Sequence, residues 1–358
     1  MNNFFGRKAF RHVAWKYRRN FLIAIISLLV IGEGISQTVQ YSDDFSFLKA
    51  PDPLSGSNPT FPLVTLPEPE IGAPFLDPNF KTVLTRVTRT DGYEGRHEYS
   101  RYDPFNVDQS MIILVSDAGD YFIYKTNPLP FNQQQNHVMT LSAMEPRWDA
   151  ENPNLLWAVD EFSIVTVDVA AGQRTIVKDF SQDPVLGPII TSNSAMWITW
   201  RYEGEASMDK RYWAFLLQAD DRLDYAYINM FTWDRLNDEI LGVYSIADNE
   251  QSIDWIGMSP LGNFVLIGAD PWNGGNVVDL TIANKELTLF HQLANGAGHS
   301  DVGLDINGNE VIVVQNARTD HVDMIPLDWG TNPVPENGEY QGTGVTPLIL
   351  LFYNSESP

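Results

Sequence analysis

Beyond Asn79 the chain reads as short apolar runs with a period of two, among them TVLTRVT, MIILVS, YFIYKT, LLWAV, SIVTVDV, MWITW, FVLIGA and VIVVQ. Clusters of Gly, Asn, Asp and Pro separate them, and no amphipathic helical pattern of convincing length intervenes. Branched and aromatic side chains at alternate positions suit a pleated surface, so the pattern predicts an all-β body over 80–358. The segment 37–79 lacks this period. It is rich in Pro, Ser and Asp, and is expected to lie on the body as an extended arm.

A turn followed by a strand recurs along the body. It is read as FNVDQSMIILV from Phe105, WDAENPNLLWAV from Trp148, TSNSAMWITW from Thr191, MSPLGNFVLIG from Met258 and LDINGNEVIVV from Leu304. With Asn106, Asp149, Thr191, Ser259 and Asp305 taken as equivalent, the spacings are 43, 42, 68 and 46 residues. Three of the four match the roughly 40 to 50 residues of a four-stranded propeller blade. The wide interval is read as one blade with long strands or an insertion. A sandwich would show turns as well, but it has no reason to repeat one turn at this period. The predicted fold is therefore an all-β β-propeller of six or seven blades. Inner strands are expected to begin near residues 98, 144, 187, 252 and 299. Strands around Val83–Val87 and Leu348–Tyr353 would close a sixth blade, the alternative being a seven-bladed ring truncated at its C-terminus.

The unit MSPLGNFVLIG resembles the S-P-D-G-K turn of translocation-type and WD-repeat-like propellers, with Leu261 where that turn has Asp, and LDINGNEVIVV is a variant of it. The layout is also similar to the oligogalacturonate and ulvan lyases, propellers with His and Arg near the starts of their inner strands. That resemblance implies action on a uronic-acid polysaccharide.

In such a ring the residues a few places before each repeat turn converge on one mouth of the central channel. Here they are polar: Arg96, His97, Tyr99, Arg101 and Tyr102, then Glu145 and Arg147, then Asp254 and Trp255, then His299, Ser300 and Asp301. Loops on the same face are expected to add Arg201, Tyr202, Trp272, Asn273, Gln315, Asn316, Arg318 and His321. In a lyase, His97 or His299 would be the base and Tyr102 the acid. Arg101, Arg201 or Arg318 would hold a carboxylate in bidentate fashion, and Trp200 or Trp272 would stack on sugar rings. His299 and His321, with Gln315 or Asp301, offer ligands for a divalent metal. The competing reading is that these groups only satisfy one another and channel water, as buried polar groups must. A non-catalytic scaffold propeller gripping a protein or glycan would use the same face.

Charge narrows the partners. The whole chain carries a net charge of −23. Six Lys/Arg precede an apolar run from Phe21 to Ile31, and small residues (Gly32, Gly34, Ser36) follow it. Eleven apolar residues suit a signal-peptide core rather than a membrane span, so residues 1–36 are expected to be cleaved and the body secreted or periplasmic, without a stable membrane span. Without them, 17 basic residues face 45 acidic ones. Nucleic acid is excluded as a general partner by that field, and an extracellular glycan or protein, met by a monomer, is expected instead. Cysteine is absent, so ordinary cores must hold the fold. No nucleophile elbow, phosphate loop or zinc-protease helix is present, and DINGNE at 305–310 is read as a turn rather than a calcium loop.

Overall fold

The structure, a computed structural model, describes residues 65–66, 68–78, 82–89, 95–116, 118–219, 227–246, 253–269, 279–294, 297–316, 321–330 and 346–350. The predicted leader, Trp272, Asn273 and Arg318 lie outside these residues. The chain divides into one unit of residues 1–51, 60–68 and 74–84, and another of residues 52–59, 69–73 and 85–358. In the first, β1 (Phe75–Leu76) and β2 (Val83–Leu84) form an antiparallel pair with Phe75 opposite Leu84. The turn between them is closed by the Asp77 N–H donating to Thr82 O at 2.8 Å.

The second unit consists of successive antiparallel meanders. The first has β3 (Met111–Val115), β4 (Tyr121–Lys125) and β5 (His137–Leu141), with an irregular inner segment bridged to β3 at Arg96–Val115 and Phe105–Ile112. The second has β6 (Met144–Trp148), β7 (Leu155–Asp160), β8 (Ser163–Asp168) and β9 (Gln173–Asp179). After a short helix α1 (Leu186–Ser192), the third has β10 (Trp197–Thr199), β11 (Tyr212–Gln218), β12 (Tyr227–Asp234) and β13 (Glu239–Ser245). The fourth has β14 (Trp255–Met258), β15 (Val265–Gly268), β16 (Leu280–Ala283) and β17 (Phe290–Ala294). The fifth has β18 (Ala297–Leu304), β19 (Glu310–Asn316), β20 (His321–Pro326) and β21 (Thr346–Leu350).

Period-two alternation makes these sheets into blades. Along β11, Trp213, Phe215 and Leu217 pack on Trp157 and Ile164 of the second sheet, whereas Ala214 and Leu216 pack on Ile256 and Ile267 of the fourth. The fourth likewise meets the fifth through Leu266, Ile282 and Ile312, and the first meets the second through Ile113, Ile123 and Leu156. Each middle sheet is thus buried on both faces, and its outer strand is the wet one, as in β9. Among the described residues the largest core lies between the second and third blades, where Trp200, Trp213 and Phe215 stack at 5.3 to 6.0 Å. Trp200 is fully buried there, so it is a core side chain and not a sugar platform.

The fold is the predicted propeller, with five blade sheets among the described residues where six or seven were expected. The two chain segments expected to complete a sixth blade have other partners: Val83–Leu84 pairs with β1, and β21 is the outer strand of the fifth blade. No helix among the described residues is long and apolar enough to cross a membrane.

The repeat turn proves to be a side-chain-capped loop between the inner and second strands. Its head residue donates its N–H across the turn and accepts an N–H in return, as with Asn106 and Met111 (3.1 and 2.9 Å), Ser259 and Phe264 (2.9 and 3.0 Å), and Asp305 and Asn309 (2.8 and 2.8 Å). In the third blade the head is Ser207, exchanging bonds with Tyr212 at 3.0 and 2.9 Å, and not Thr191, which lies in α1. The inner strand of that blade accordingly starts at Trp197 rather than near 187. Three residues after the head the backbone is left-handed in four turns, at Gln109, Lys210, Gly262 and Gly308. Glycine fills that position freely in two of them, while Gln109 and Lys210 hold it at a cost.

Candidate functional site

The five inner segments run from one mouth of the axis, where they start, to the other, where the capped turns lie. A cavity of about 640 Å³ opens at the start side and one of about 600 Å³ at the turn side, and they share no lining residue. Between them the axis is crossed by paired charges. Arg147 donates to Glu98 Oε2 at 2.7 Å, and Glu98 also accepts the Tyr121 hydroxyl. The Arg147 guanidinium lies 3.2 Å from the centre of the Tyr102 ring, whose hydroxyl donates to Gly204 O at 3.1 Å. Arg101 pairs with Glu203 at 3.3 Å and covers the face of Trp255 at 4.3 Å.

The start-side mouth is shaped by the chain after β10. Arg201 and Tyr202 are consecutive residues at positive φ, 60° and 65°, and both line the cavity. A non-glycine residue resists that conformation by about 1–2 kcal/mol, so two in succession need an external hold. Glu145 supplies it. This buried carboxylate accepts from the Thr199 hydroxyl, from the Trp200 N–H at 2.8 Å and from the Tyr202 N–H at 3.2 Å. A core residue of the second blade therefore sets the turn that presents Arg201 and Tyr202, and Tyr202 is 42% exposed.

Around that turn stand Tyr99, Glu203 and Asp254. Burial raises the carboxyl pKa of Glu203 and of Asp254, with Asp254 adding to the rise at Glu203. Burial, then the nearby Glu203 carboxylate, pushes the Tyr99 phenol up as well. The Tyr99 hydroxyl is 3.3 Å from His299 Nδ1, and His97 Nδ1 is 3.0 Å from Tyr99 O. Tyr99 and His299 thus stand on one rim, and His97 turns its ring to the Tyr99 carbonyl two residues further on. This is also where the inner segments of the first and fifth blades meet.

Other predicted residues have different places. Tyr102 lies within the axial septum, its hydroxyl engaged and its pKa driven up by burial. Arg101 is committed to Glu203 and Trp255, which leaves it poorly placed to clamp a carboxylate. Gln315 lines a neighbouring cleft with His299 and Asp301. The backbone of His321 pairs with Asn316, so β19 runs between it and β18, which carries His299. Among the described residues no group of three or more His, Asp or Glu is arranged to hold a metal ion. Sequence reasoning missed Glu98 and Glu203, because a carboxylate in an irregular inner segment gives no local sign of the arginine that meets it across the axis.

No family model matches the sequence, and neither does any curated protein. Among solved structures, an oligogalacturonate lyase from Vibrio parahaemolyticus is 11% identical with a TM-score of 0.47, over 77% of this chain and 72% of that one. A TolB-type protein from Agrobacterium tumefaciens is 12% identical with a TM-score of 0.38, over 69% of this chain and 81% of that one.

Proposed function

We propose that the chain is an exported propeller that binds a glycan at its start-side mouth. The observation that carries this reading is the strained Arg201–Tyr202 turn, held by Glu145 at the edge of a 640 Å³ cavity. Backbone strain maintained by a dedicated buried carboxylate fits a binding device. The lining supplies what polyhydroxylated rings need: tyrosine faces from Tyr99 and Tyr202, with arginine and carboxylate groups to meet hydroxyls. The acidity of the chain and the engagement of Arg101 by Glu203 favour a neutral sugar over a uronate. The basic and apolar leader supports export, and mature protein from an exporting host is expected to begin near Gln37 by N-terminal sequencing. Intact Met1 recovered in membranes would instead make the leader an anchor.

The test is a glycan array followed by calorimetry with Tyr202→Gly. Glycine relaxes the left-handed position while removing the aromatic face. Affinity should fall tenfold or more, about 1.4 kcal/mol, without a drop in thermal midpoint. Undiminished affinity would remove the mouth from consideration.

Binding should also depend on pH. Glu203 and Asp254 hold their protons above the ordinary values of 4.5 and 3.8, so affinity is expected to change above the usual carboxylate range, and Glu203→Gln should delete one inflection. Raised folded-state pKa values also mean that the stability these two groups contribute is present below the unfolded values and lost as pH rises through the folded ones.

A lyase is the second reading, favoured by one contact, the Tyr99 hydroxyl at 3.3 Å from His299 Nδ1. A base and an acid within hydrogen-bond reach could remove a proton beside a uronate carboxylate and protonate the leaving oxygen. Ultraviolet absorbance of an unsaturated product, lost in both Tyr99→Phe and His299→Ala, would establish it. Absence of product from every uronic-acid polymer tried would leave the binding reading.

A further inference from the structure

The turn-side mouth has a pattern of its own. The second residue of the five capped turns is Val107, Ala150, Met208, Pro260 and Ile306, so an apolar residue recurs at one position around the axis. Pro260 is packed, and its neighbour Leu261 takes the outward place. Val107, Met208, Leu261 and Ile306 are 51%, 59%, 50% and 101% exposed. Single exposed apolar residues are ordinary, but recurrence in register around a concave site marks an interaction surface.

Val107, Ala150, Met208 and Pro260 of this crown line the cavity of about 600 Å³, whose walls also include Phe105, Trp148, Met258 and Leu304. Its margin is acidic on the side of the first and second blades, where Asp103, Asp108 and Glu151 are exposed, while at the third and fourth turns Asp209 lies beside Arg211 and Arg235 and Lys285 donates to Gly262 O at 2.9 Å. Of the two cations lining the cavity, Arg147 is engaged by Glu98, and burial lowers the pKa of Lys210.

We infer that the turn-side mouth docks a segment of a partner protein that seats apolar side chains in the cavity and flanks them with lysine or arginine. An apolar centre with an oppositely charged margin gives such a segment both its anchor and its steering. A second copy of this chain would bring the same acidic crown, and an anionic bilayer would meet the same repulsion.

The experiment is a selection of displayed random decapeptides on the full chain, with counter-selection on the triple variant Val107→Ser, Met208→Ser, Ile306→Asn. These side chains are exposed, so the variant should keep its thermal midpoint. Enriched peptides should share apolar residues flanked by Lys or Arg, lose at least tenfold in affinity on the triple variant, weaken as salt rises, and bind Tyr202→Gly normally. No enrichment, acidic peptides, or equal binding to the triple variant would overturn the inference. So would concentration-dependent dimers abolished by the triple variant, or adsorption to zwitterionic vesicles, which would assign the crown to self-association or to lipid.

Discussion

Arg147→Met is expected to lower the free energy of unfolding by about 3–5 kcal/mol, because it leaves the Glu98 carboxylate buried and uncompensated. The pair meets at 2.7 Å with side-chain exposures of 5% and 12%, so water is a poor substitute for the guanidinium although each partner borders a cavity. Tyr121 would still donate to Glu98, but a hydroxyl does not neutralise the charge. The double variant Arg147→Met, Glu98→Gln should recover most of the loss, since a buried ion pair replaced as a whole costs little. Denaturant midpoints at unchanged slope measure both quantities. A single-variant loss below about 1 kcal/mol would mean that the septum behaves like a surface ion pair, and the two mouths would not be separated as described.

A second large effect is expected from one methyl group. Gly204→Ala would place a Cβ 1.6 Å from the Ile256 carbonyl oxygen and 3.2 Å from Gly257 Cα. Both are backbone atoms of β14, and the segment is pinned beside them by the Met258 N–H donating to Glu205 O at 2.7 Å. No flexible side chain can give way, so a loss of more than about 3 kcal/mol is expected. Glycan binding should fall with it, because Gly204 joins Tyr202 and Glu203 at one mouth to Glu205 at the other. Gly119→Ala is the control. That residue has φ near 89° with nothing within 4 Å of the new Cβ, so only the left-handed penalty of about 1–2 kcal/mol applies. Equal losses in the two variants would show that the backbone of β14 gives way to the new methyl group, and that the close approach is not what requires glycine at 204.

The reach of sequence reasoning differs between elements for physical reasons. Four of the five repeat turns were legible because their heads, Asn106, Asp149, Ser259 and Asp305, cap their own loops, which is local chemistry. The third was misplaced. TSNSAMWITW has the composition of the repeat, yet its start forms α1, whereas SMDKRYW carries the capped geometry with Lys210 in the position held elsewhere by Gly262 and Gly308. A search that required glycine at the left-handed position would pass over it. A search for a small polar head five residues before an aromatic or apolar strand would find it.

The alternation of apolar residues, together with the capped turns, determined by itself that the chain forms the small antiparallel sheets of a propeller, and, in the four blades whose turns were read, which end of the inner strand carries the turn. Those properties depend on neighbours a few residues apart. What only the tertiary structure decided is the state of each polar group at the axis. Arg101, Tyr102 and Arg147 look equally available along the chain. Their partners Glu203, Gly204 and Glu98 are 102, 102 and 49 residues away, and only closure of the ring brings them within hydrogen-bond reach. The same holds for Trp200, whose burial depends on Trp213 and Phe215 across the blade, and for Glu145, whose carboxylate shapes a turn more than fifty residues further on. A charge or a ring is a site or a strut according to what the fold sets against it, and that pairing is a property of distance in space that the order of residues does not contain.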